Sequence, residues 1–330
     1  MLAGLILLLA LVTMGCGTGG ESPPEGSETL TIAVIPKGTT HSFWVAIHAG
    51  AMKAAQELDV EVIWKGPGRE DDRDAQISEV ENFVSRGVSG IVLAPTDDKA
   101  LRLPVTNAAR SGVPVVIIDS GLDSEDFVSF VATDNYEGGR LAGERMVETT
   151  GGAARVMMLR YMEGSASTMK REEGFMDVMA KHPDMDVVSS NQHAGATAEL
   201  AYQASENLLA RFKNADGTLD VDGIYCPNES SAFGMLRALS DAGLSGSVAL
   251  IGFDASEQMV RGLEQGAFDS LVLQDPVNMA YLGVKTMVEH LRGEQVAARI
   301  DTGVTLITQD NMSEPAMQEL LRPDVERWLN

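Results

Sequence analysis

Short apolar runs rich in Val and Ile alternate along most of the chain with longer segments of helical periodicity. The apolar runs span residues 30–35, 60–64, 90–94, 113–118, 155–159, 185–189, 223–225 and 248–252. The segments of helical periodicity span residues 44–58, 74–86, 136–149, 169–182, 200–212 and 232–242. Strands that are apolar throughout, each followed by a helix, are typical of parallel sheets covered on both faces. The alternation therefore predicts an α/β fold of doubly wound sheets.

Length and charge narrow the class of protein further. A chain of 330 residues is long for one hydrophobic core and sufficient for two lobes of about 140 residues each. The formal net charge of −23 repels nucleic acid phosphates, so a DNA-binding function is disfavoured. We therefore expect two globular lobes and no nucleic acid partner.

The first residues indicate export. An apolar run at residues 2–14 would cover roughly 20 Å as a helix, short of the roughly 30 Å core of a bilayer, so residues 1–15 are predicted to be a signal peptide. Residues 11–16, which end in Cys16, resemble the lipobox of bacterial lipoproteins, in which the cysteine is acylated and becomes the mature N-terminus. Thr13 stands where a leucine is usual, and no Lys or Arg precedes the run, so a start codon upstream of Met1 and a cleaved signal with an incidental cysteine remain open alternatives.

A polar segment follows the cysteine. Residues 17–28 contain Gly, Thr, Glu, Ser and Pro and no apolar residue, so residues 16–28 are predicted to be a flexible tether. Cys226 is then the one cysteine left, which leaves no disulfide framework. With only five histidines in the chain, we expect no metal site and no cofactor.

The chain contains a weak internal repeat. Residues 90–121 run strand, polar turn, helix, strand and then Asp119, and residues 223–256 repeat this order and end with Asp254. Two similar lobes would place these aspartates at equivalent carboxyl ends of parallel strands, where open α/β sheets bind ligands. We therefore expect Asp119 and Asp254 to line one cleft.

Short motifs in a fixed order resemble the ribose-type periplasmic binding proteins, which share their fold with the effector domains of LacI-like repressors. The resemblance covers residues 29–311 and rests on Ile32-Ala33-Val34-Ile35-Pro36, Phe43-Trp44, Pro95-Thr96-Asp97, Ile118-Asp119, Thr133-Asp134-Asn135, Arg171 with Gly174-Phe175, Pro227-Asn228-Glu229, Gly252-Phe253-Asp254 and Gln274. It implies two lobes joined by a three-segment hinge, with crossings near residues 132–134, 274–276 and 302–306. The lobes would be residues 29–132 plus 277–303, and residues 133–274. Residues 304–330 would form the last crossing and a C-terminal tail.

The resemblance also implies a sugar site. Asp119, Arg171, Asn228, Asp254 and Gln274 match polar ligand contacts of that family, while Phe43 and Trp44 match its stacking pair. Such a set suits a sugar, because carboxylates accept from hydroxyl groups, amides and Arg serve the other oxygens, and aromatic faces cover C–H patches. Each residue also has an ordinary alternative: the aspartates as helix caps or turn formers, the arginine as a solvated charge, the amides as local backbone partners and the aromatic residues as core.

Two further residues are candidates. Lys37 and His41 stand where the ribose-type site has small or amide residues, and Ile35-Pro36-Lys37 is closer to binding proteins for rhamnose and for furanosyl signals of the autoinducer-2 kind. Lys37 would donate to hydroxyl groups or meet an acidic group of the ligand, unless it is a surface lysine. His41 is either a rim ligand or a loop residue.

Other departures concern ligand identity. Ala94, Ser120 and Ala196 replace an asparagine, an arginine and an aromatic residue of the ribose-type site, and Lys170-Arg171 occupies the place of the acidic pair of the autoinducer-type site. Fewer polar groups and more room predict a ligand other than ribose: a hexose, a deoxy sugar or a polyol.

The expected function is that of a lipid-anchored solute-binding protein in the periplasm or at the cell surface. It would be a monomer that delivers its solute to the membrane permease of an ABC importer. A receptor that presents its closed form to a chemoreceptor or histidine kinase remains an alternative. A glycoside hydrolase would need paired carboxylates set for acid and base work, and we expect no catalytic residues.

Overall fold

The computed structural model describes residues 29–329. The predicted signal peptide, the tether and Cys16 lie outside the described residues. Within residues 29–329, no helix is long and apolar enough to cross a bilayer. No group of three or more His, Cys, Asp or Glu side chains in that range is arranged to hold a metal ion.

The first lobe is built on a six-stranded parallel sheet, whose elements are numbered along the chain. Its strands are β1 (Thr31–Ile35), β2 (Glu61–Trp64), β3 (Gly90–Leu93), β4 (Val115–Ile118), β5 (Ser129–Ala132) and β11 (Arg299–Asp301). Its helices are α1 (Ser42–Leu58), α2 (Arg73–Arg86), α3 (Arg102–Arg110) and α9 (Pro276–Leu291). The strand order is β2-β1-β3-β4-β5-β11. Helices α1 and α9 contribute to the core on one face of the sheet, and α2 and α3 to the core on the other.

The second lobe repeats this plan. Its strands are β6 (Ala154–Arg160), β7 (Met185–His193), β8 (Gly223–Tyr225), β9 (Ala249–Phe253), β10 (Ser270–Leu273) and β12 (Thr305–Thr308). Its helices are α4 (Asn135–Thr150), α5 (Ala166–Met179), α6 (Ala198–Arg211), α7 (Glu229–Asp241) and α8 (Glu257–Glu264). The order is β7-β6-β8-β9-β10-β12, parallel except for β12, which is antiparallel to β10. The two sheets therefore share one strand order, and β4 and β9 occupy equivalent positions.

Three segments connect the lobes. The chain leaves the first sheet after β5, returns after β10, and crosses again between β11 and β12. Beyond the last crossing, α10 (Pro315–Leu321) packs on the second lobe, and α11 (Glu326–Leu329) contacts α1 of the first. The predicted fold, two doubly wound lobes with a three-segment hinge, is confirmed.

Local signals set several helix ends. The Asp72 carboxylate caps α2 by accepting from the backbone N–H of Ala75, and Gly87 ends the helix in the left-handed conformation that glycine adopts at low cost. Helix α1 is different, because its N-cap residue, His41, makes no side-chain capping bond.

Candidate functional site

Two aspartates end equivalent strands with the same unusual backbone. Asp119 follows β4 with φ 61°, and Asp254 follows β9 with φ 68°. The N–H of Asp119 donates to the Val131 carbonyl at 3.2 Å, and that of Asp254 donates to the Val272 carbonyl at 2.9 Å. Non-glycine residues are uncommon in this region, although Asp tolerates it better than most. The repeated geometry turns both carboxylates off the sheet edges into the cleft between the lobes.

One cavity between the lobes collects every side chain that the sequence singled out for ligand binding. Its lining includes Lys37, His41, Phe43, Trp44, Asp119, Arg171, Asn228, Asp254 and Gln274. It also includes six residues that sequence reasoning did not select: Glu70, Tyr161, Ser165, Ser167, Thr168 and Glu229. The site is therefore built from the carboxyl-end loops of both sheets.

Lys37 is a buried, paired cation and not a surface lysine. Its side chain is 3% exposed, and its Nζ lies 2.7 Å from Oδ2 of Asp119. The ammonium also donates to Ser167 Oγ at 3.0 Å and to Ser165 Oγ at 3.4 Å, both on the second lobe. Lys37 therefore neutralises the carboxylate of its own lobe and reaches across the cleft.

Arg171 is held on several sides. Its Nε donates to Asn135 Oδ1 at 2.8 Å, and its Nη1 donates to the Pro227 carbonyl at 2.9 Å. The guanidinium lies over the Phe253 ring at 3.8 Å from the centroid, and Nη1 is 3.8 Å from Oδ2 of Asp254. The side chain is 2% exposed, which excludes a solvated helix charge. These contacts fix the guanidinium beside the Asp254 carboxylate.

Gln274 completes the second carboxylate site. Its Nε2 donates to Asp254 Oδ1 at 2.7 Å, while its own Oε1 is buried without a hydrogen-bond partner among the described residues. The pKa of Asp254 is raised, chiefly by burial and also by the charge of Asp119. The charge of Arg171 and the hydrogen bond from Gln274 act in the opposite direction and lower it. An unpaired buried acceptor costs free energy, which a ligand hydroxyl group would recover.

Glu70 is the centre of a buried network in the first lobe's half of the cavity. Its Oε1 accepts from Trp44 Nε1 at 2.9 Å and lies 2.6 Å from His41 Nδ1. Its Oε2 accepts from the Tyr161 hydroxyl group of the second lobe at 2.9 Å. The indole nitrogen of Trp44 is thereby committed to the protein, and the carboxylate ties the two lobes together.

The network shifts the pKa of both charged partners. Burial works against the charged form of His41, but the hydrogen bond and charge of Glu70 outweigh it and raise the pKa of His41 to about 9. Burial likewise opposes ionisation of Glu70, and the hydrogen bond and charge of His41, with the charge of Lys37, lower its pKa to about 2. His41 and Glu70 are therefore an ion pair at neutral pH.

Phe43, Trp44 and Asn228 keep their ordinary roles as well as their places in the cavity wall. The two aromatic rings meet edge to face at 4.9 Å and belong to the core of the first lobe. The Asn228 side chain caps α7 by accepting from the N–H of Ser231 at 3.3 Å.

The space left between these side chains is small. The free volume of the cavity is about 30 Å³, whereas ligand pockets usually measure hundreds of Å³. Ala94 and Ala196 are buried, but neither lines the cavity, and Ser120 Oγ accepts from the N–H of Ser167 at 3.0 Å. The additional room expected from these replacements is absent from this conformation.

The six cavity residues that sequence reasoning did not select follow strands whose ends are visible in the sequence. Glu70 lies in the loop after β2, and residues 161–168 follow β6. Because open α/β sheets bind ligands outside the carboxyl ends of their strands, the polar residues of those two loops were recognisable candidates. Glu229 stood inside the quoted Pro227-Asn228-Glu229 motif.

A protein-family model described as a periplasmic binding protein domain matches residues 32–295. The chain belongs to this family. The ribose import binding protein of Haemophilus influenzae is 28% identical over 305 residues, which is 92% of this chain and 99% of that protein. These matches confirm the resemblance to ribose-type periplasmic binding proteins.

Solved structures extend the comparison. A carbohydrate transporter solute-binding protein from Agrobacterium radiobacter in complex with D-arabinose is 36% identical, with a TM-score of 0.84 over 89% of this chain and 99% of that one. A solute-binding protein of an ABC transporter from Agrobacterium vitis with bound D-fucose is 32% identical, with a TM-score of 0.83 over 88% and 99%. These relatives are import and transport binding proteins, and this chain, as a member of the periplasmic binding protein family, is a binding protein and not an enzyme.

Proposed function

We propose that this protein captures a monosaccharide or sugar-like polyol between its lobes and delivers it to the permease of an ABC importer. The observation that carries the proposal is the pair of aspartates, Asp119 and Asp254, at equivalent strand ends. Both have a left-handed backbone conformation, and both carboxylates line one interlobe cavity. The sugars in the two Agrobacterium structures support it, because those chains share the fold and about a third of the sequence.

The chemistry of the cavity suits an uncharged, hydroxyl-rich solute. Asp119, Asp254 and the Oε1 of Gln274 offer acceptors, and the ammonium of Lys37 offers donors. Each cation of the cavity already lies beside a carboxylate: Lys37 beside Asp119, His41 beside Glu70 and Arg171 beside Asp254. A ligand carboxylate would therefore find no unpaired positive charge, so we expect sugars and polyols to bind in preference to sugar acids.

Binding requires hinge motion. A free volume of about 30 Å³ is too small to admit a monosaccharide, so the lobes must open about the three crossing segments and close again on the solute. We expect the cavity-lining side chains, above all Lys37, to change partners when the solute binds.

Anchoring and location complete the proposal. Acylated Cys16 and the tether at residues 16–28 would hold a monomeric binding protein at the membrane, facing the periplasm or the cell exterior. Such a tether would give the lobes the freedom to reach the permease.

A thermal-shift screen of the purified protein against sugars, polyols and sugar acids tests this proposal. A solute at about 100 times its dissociation constant stabilises the protein by roughly 2.7 kcal/mol. Arg171→Ala and Asp254→Asn should each bind the solute at least tenfold more weakly, because each removes a charged hydrogen-bonding partner. Absence of a shift with any sugar or polyol would refute the proposed ligand class.

Asp59→Asn is the matched control. Asp59 has a left-handed backbone like Asp254, with φ 55°, but it ends α1 on the exposed surface. Asn also tolerates this backbone conformation, so neither change should strain the chain. Equal solute affinity in Asp254→Asn and Asp59→Asn would remove Asp254 from the site.

A further inference from the structure

Helix α1 of the first lobe receives its N-terminal cap from the second lobe. The N–H of Ser42 donates to Glu229 Oε1 at 3.1 Å, and the N–H of Phe43 donates to Glu229 Oε2 at 2.9 Å. Glu229 opens helix α7 and is 9% exposed. His41, the N-cap residue of α1, provides no side-chain capping bond of its own.

The arrangement is favourable only while the lobes are together. The first N–H groups of a helix have no partner within the helix, and the positive end of the helix dipole favours a carboxylate there. Opening the hinge breaks both bonds, because Glu229 and α1 belong to different lobes. It also leaves α1 to water for its cap.

We propose that Glu229 is a closure latch, a positioning residue that sets the fraction of closed molecules and hence the time for which the solute is retained. Its two oxygens are both committed to backbone N–H groups of α1, so it acts through closure and not by holding the solute. In this it differs from Lys37, whose interlobe bonds lie among the proposed sugar contacts. The inference deepens the proposed function, because closure around a solute is what the latch would serve.

Amide hydrogen exchange at Ser42 and Phe43 reports the latch directly. First-turn amides without a hydrogen-bond partner normally exchange fast. Slow exchange at these two positions therefore reports the fraction of molecules in which the lobes are closed. Glu229→Gln keeps the size of the side chain but removes its charge and one acceptor. We expect exchange at both amides to rise about ten- to a hundredfold in this variant.

Two further variants separate the latch from general effects. Glu257→Gln removes the same first-turn glutamate from α8, on the same lobe, and Glu257 is exposed and pairs with Arg261 of its own helix; it should leave exchange in α1 unchanged. Ser42→Pro removes one latch donor, and proline is well tolerated at the first position of a helix. When Ser42→Pro is combined with Glu229→Gln, exchange at the Phe43 amide should be little faster than in Glu229→Gln alone, because both changes break the same contact.

Association and dissociation of D-arabinose, D-fucose and D-ribose are measured in parallel by stopped-flow tryptophan fluorescence. For any of these sugars that binds, the latch predicts faster dissociation from Glu229→Gln with the association rate nearly unchanged. If no sugar or polyol of the thermal-shift screen binds but Glu229→Gln still speeds exchange, the latch stands and the proposed ligand class fails. Fast exchange at Ser42 and Phe43 in the unmodified protein under every condition, or equal exchange in Glu229→Gln, would overturn the latch.

Discussion

Replacing Glu70 by glutamine should change how the stability of the protein depends on pH. Glutamine retains one acceptor for Trp44 or Tyr161, but it removes the charge that holds His41 protonated in a buried position. Without that charge, burial lowers the pKa of His41 and is opposed only by the charges of Glu229 and Asp254. The histidine should then be neutral at pH 7, whereas it is charged in the unmodified protein.

The sign of the effect follows from the two shifts. The pKa of His41 rises from 6.5 to about 9 on folding, so its contribution is complete below pH 6.5 and is lost as the pH rises through 9. The pKa of Glu70 falls from 4.5 to about 2, so its contribution is complete above pH 4.5 and is lost as the pH falls through 2. Both shifts describe one ion pair and do not add. At 1.36 kcal/mol per unit, the pair contributes about 3 kcal/mol between pH 4.5 and 6.5.

Urea unfolding at pH 3, 5.5 and 9.5 checks this prediction in the unmodified protein and in Glu70→Gln. The difference in free energy of unfolding should be largest at pH 5.5, near 3 kcal/mol, and smaller at both other pH values. Glu173→Gln serves as the control, because its partner Lys170 and Glu173 itself are about half exposed and such pairs contribute at most about 1 kcal/mol. A difference between Glu70→Gln and the unmodified protein that is constant with pH would refute the coupled ion pair.

Two other predictions concern packing around the site. Gly139→Ala would place a Cβ 1.9 Å from the Arg171 carbonyl oxygen, so α4 and α5 must separate; we expect a loss of about 1–3 kcal/mol in urea unfolding and weaker solute binding. Gly68→Ala, whose Cβ meets nothing within 4 Å, should be neutral, and equal stability of the two variants would contradict the close approach. Trp44→Phe removes a hydrogen bond to a buried carboxylate and should cost about 2 kcal/mol, whereas an unchanged midpoint of thermal unfolding would show that the indole bond to Glu70 contributes nothing.

The sheets were predictable because their strands are buried on both faces. Eight strands correspond to the expected apolar runs, and the observed ends of β1, β3 and β8 lie within about one residue of those expected. The buried strands β5 and β10 were not predicted. Strands β11 and β12 carried no such signal. They are half-exposed and pair with β5 and β10, and pairing with a strand distant in sequence leaves no local periodicity.

The site was predictable where strand ends coincide with motifs, and less so where side chains choose partners. Asp119 and Asp254 were recognisable because residues 90–121 and 223–256 form a weak internal repeat. The pairing of Lys37 with Asp119, and of His41 with Glu70, depends on the packing of two loops from different strands. The sequence alone does not decide whether Lys37 is a ligand contact or a surface charge. Only the burial of its side chain in the structure distinguishes the two roles.

The two halves of the cavity are equivalent in backbone and different in charge chemistry. Asp119 faces an ammonium with three donors on a flexible stem, whereas Asp254 faces a planar guanidinium whose Nε and Nη1 donate to Asn135 and the Pro227 carbonyl. An ammonium can turn its donors toward a new acceptor, and a guanidinium held in this way cannot. The Asp254 side therefore offers a solute a fixed template and the Asp119 side an adaptable one. A symmetric fold thus gives an asymmetric site, and we expect it to hold a ring or chain of hydroxyl groups in one orientation.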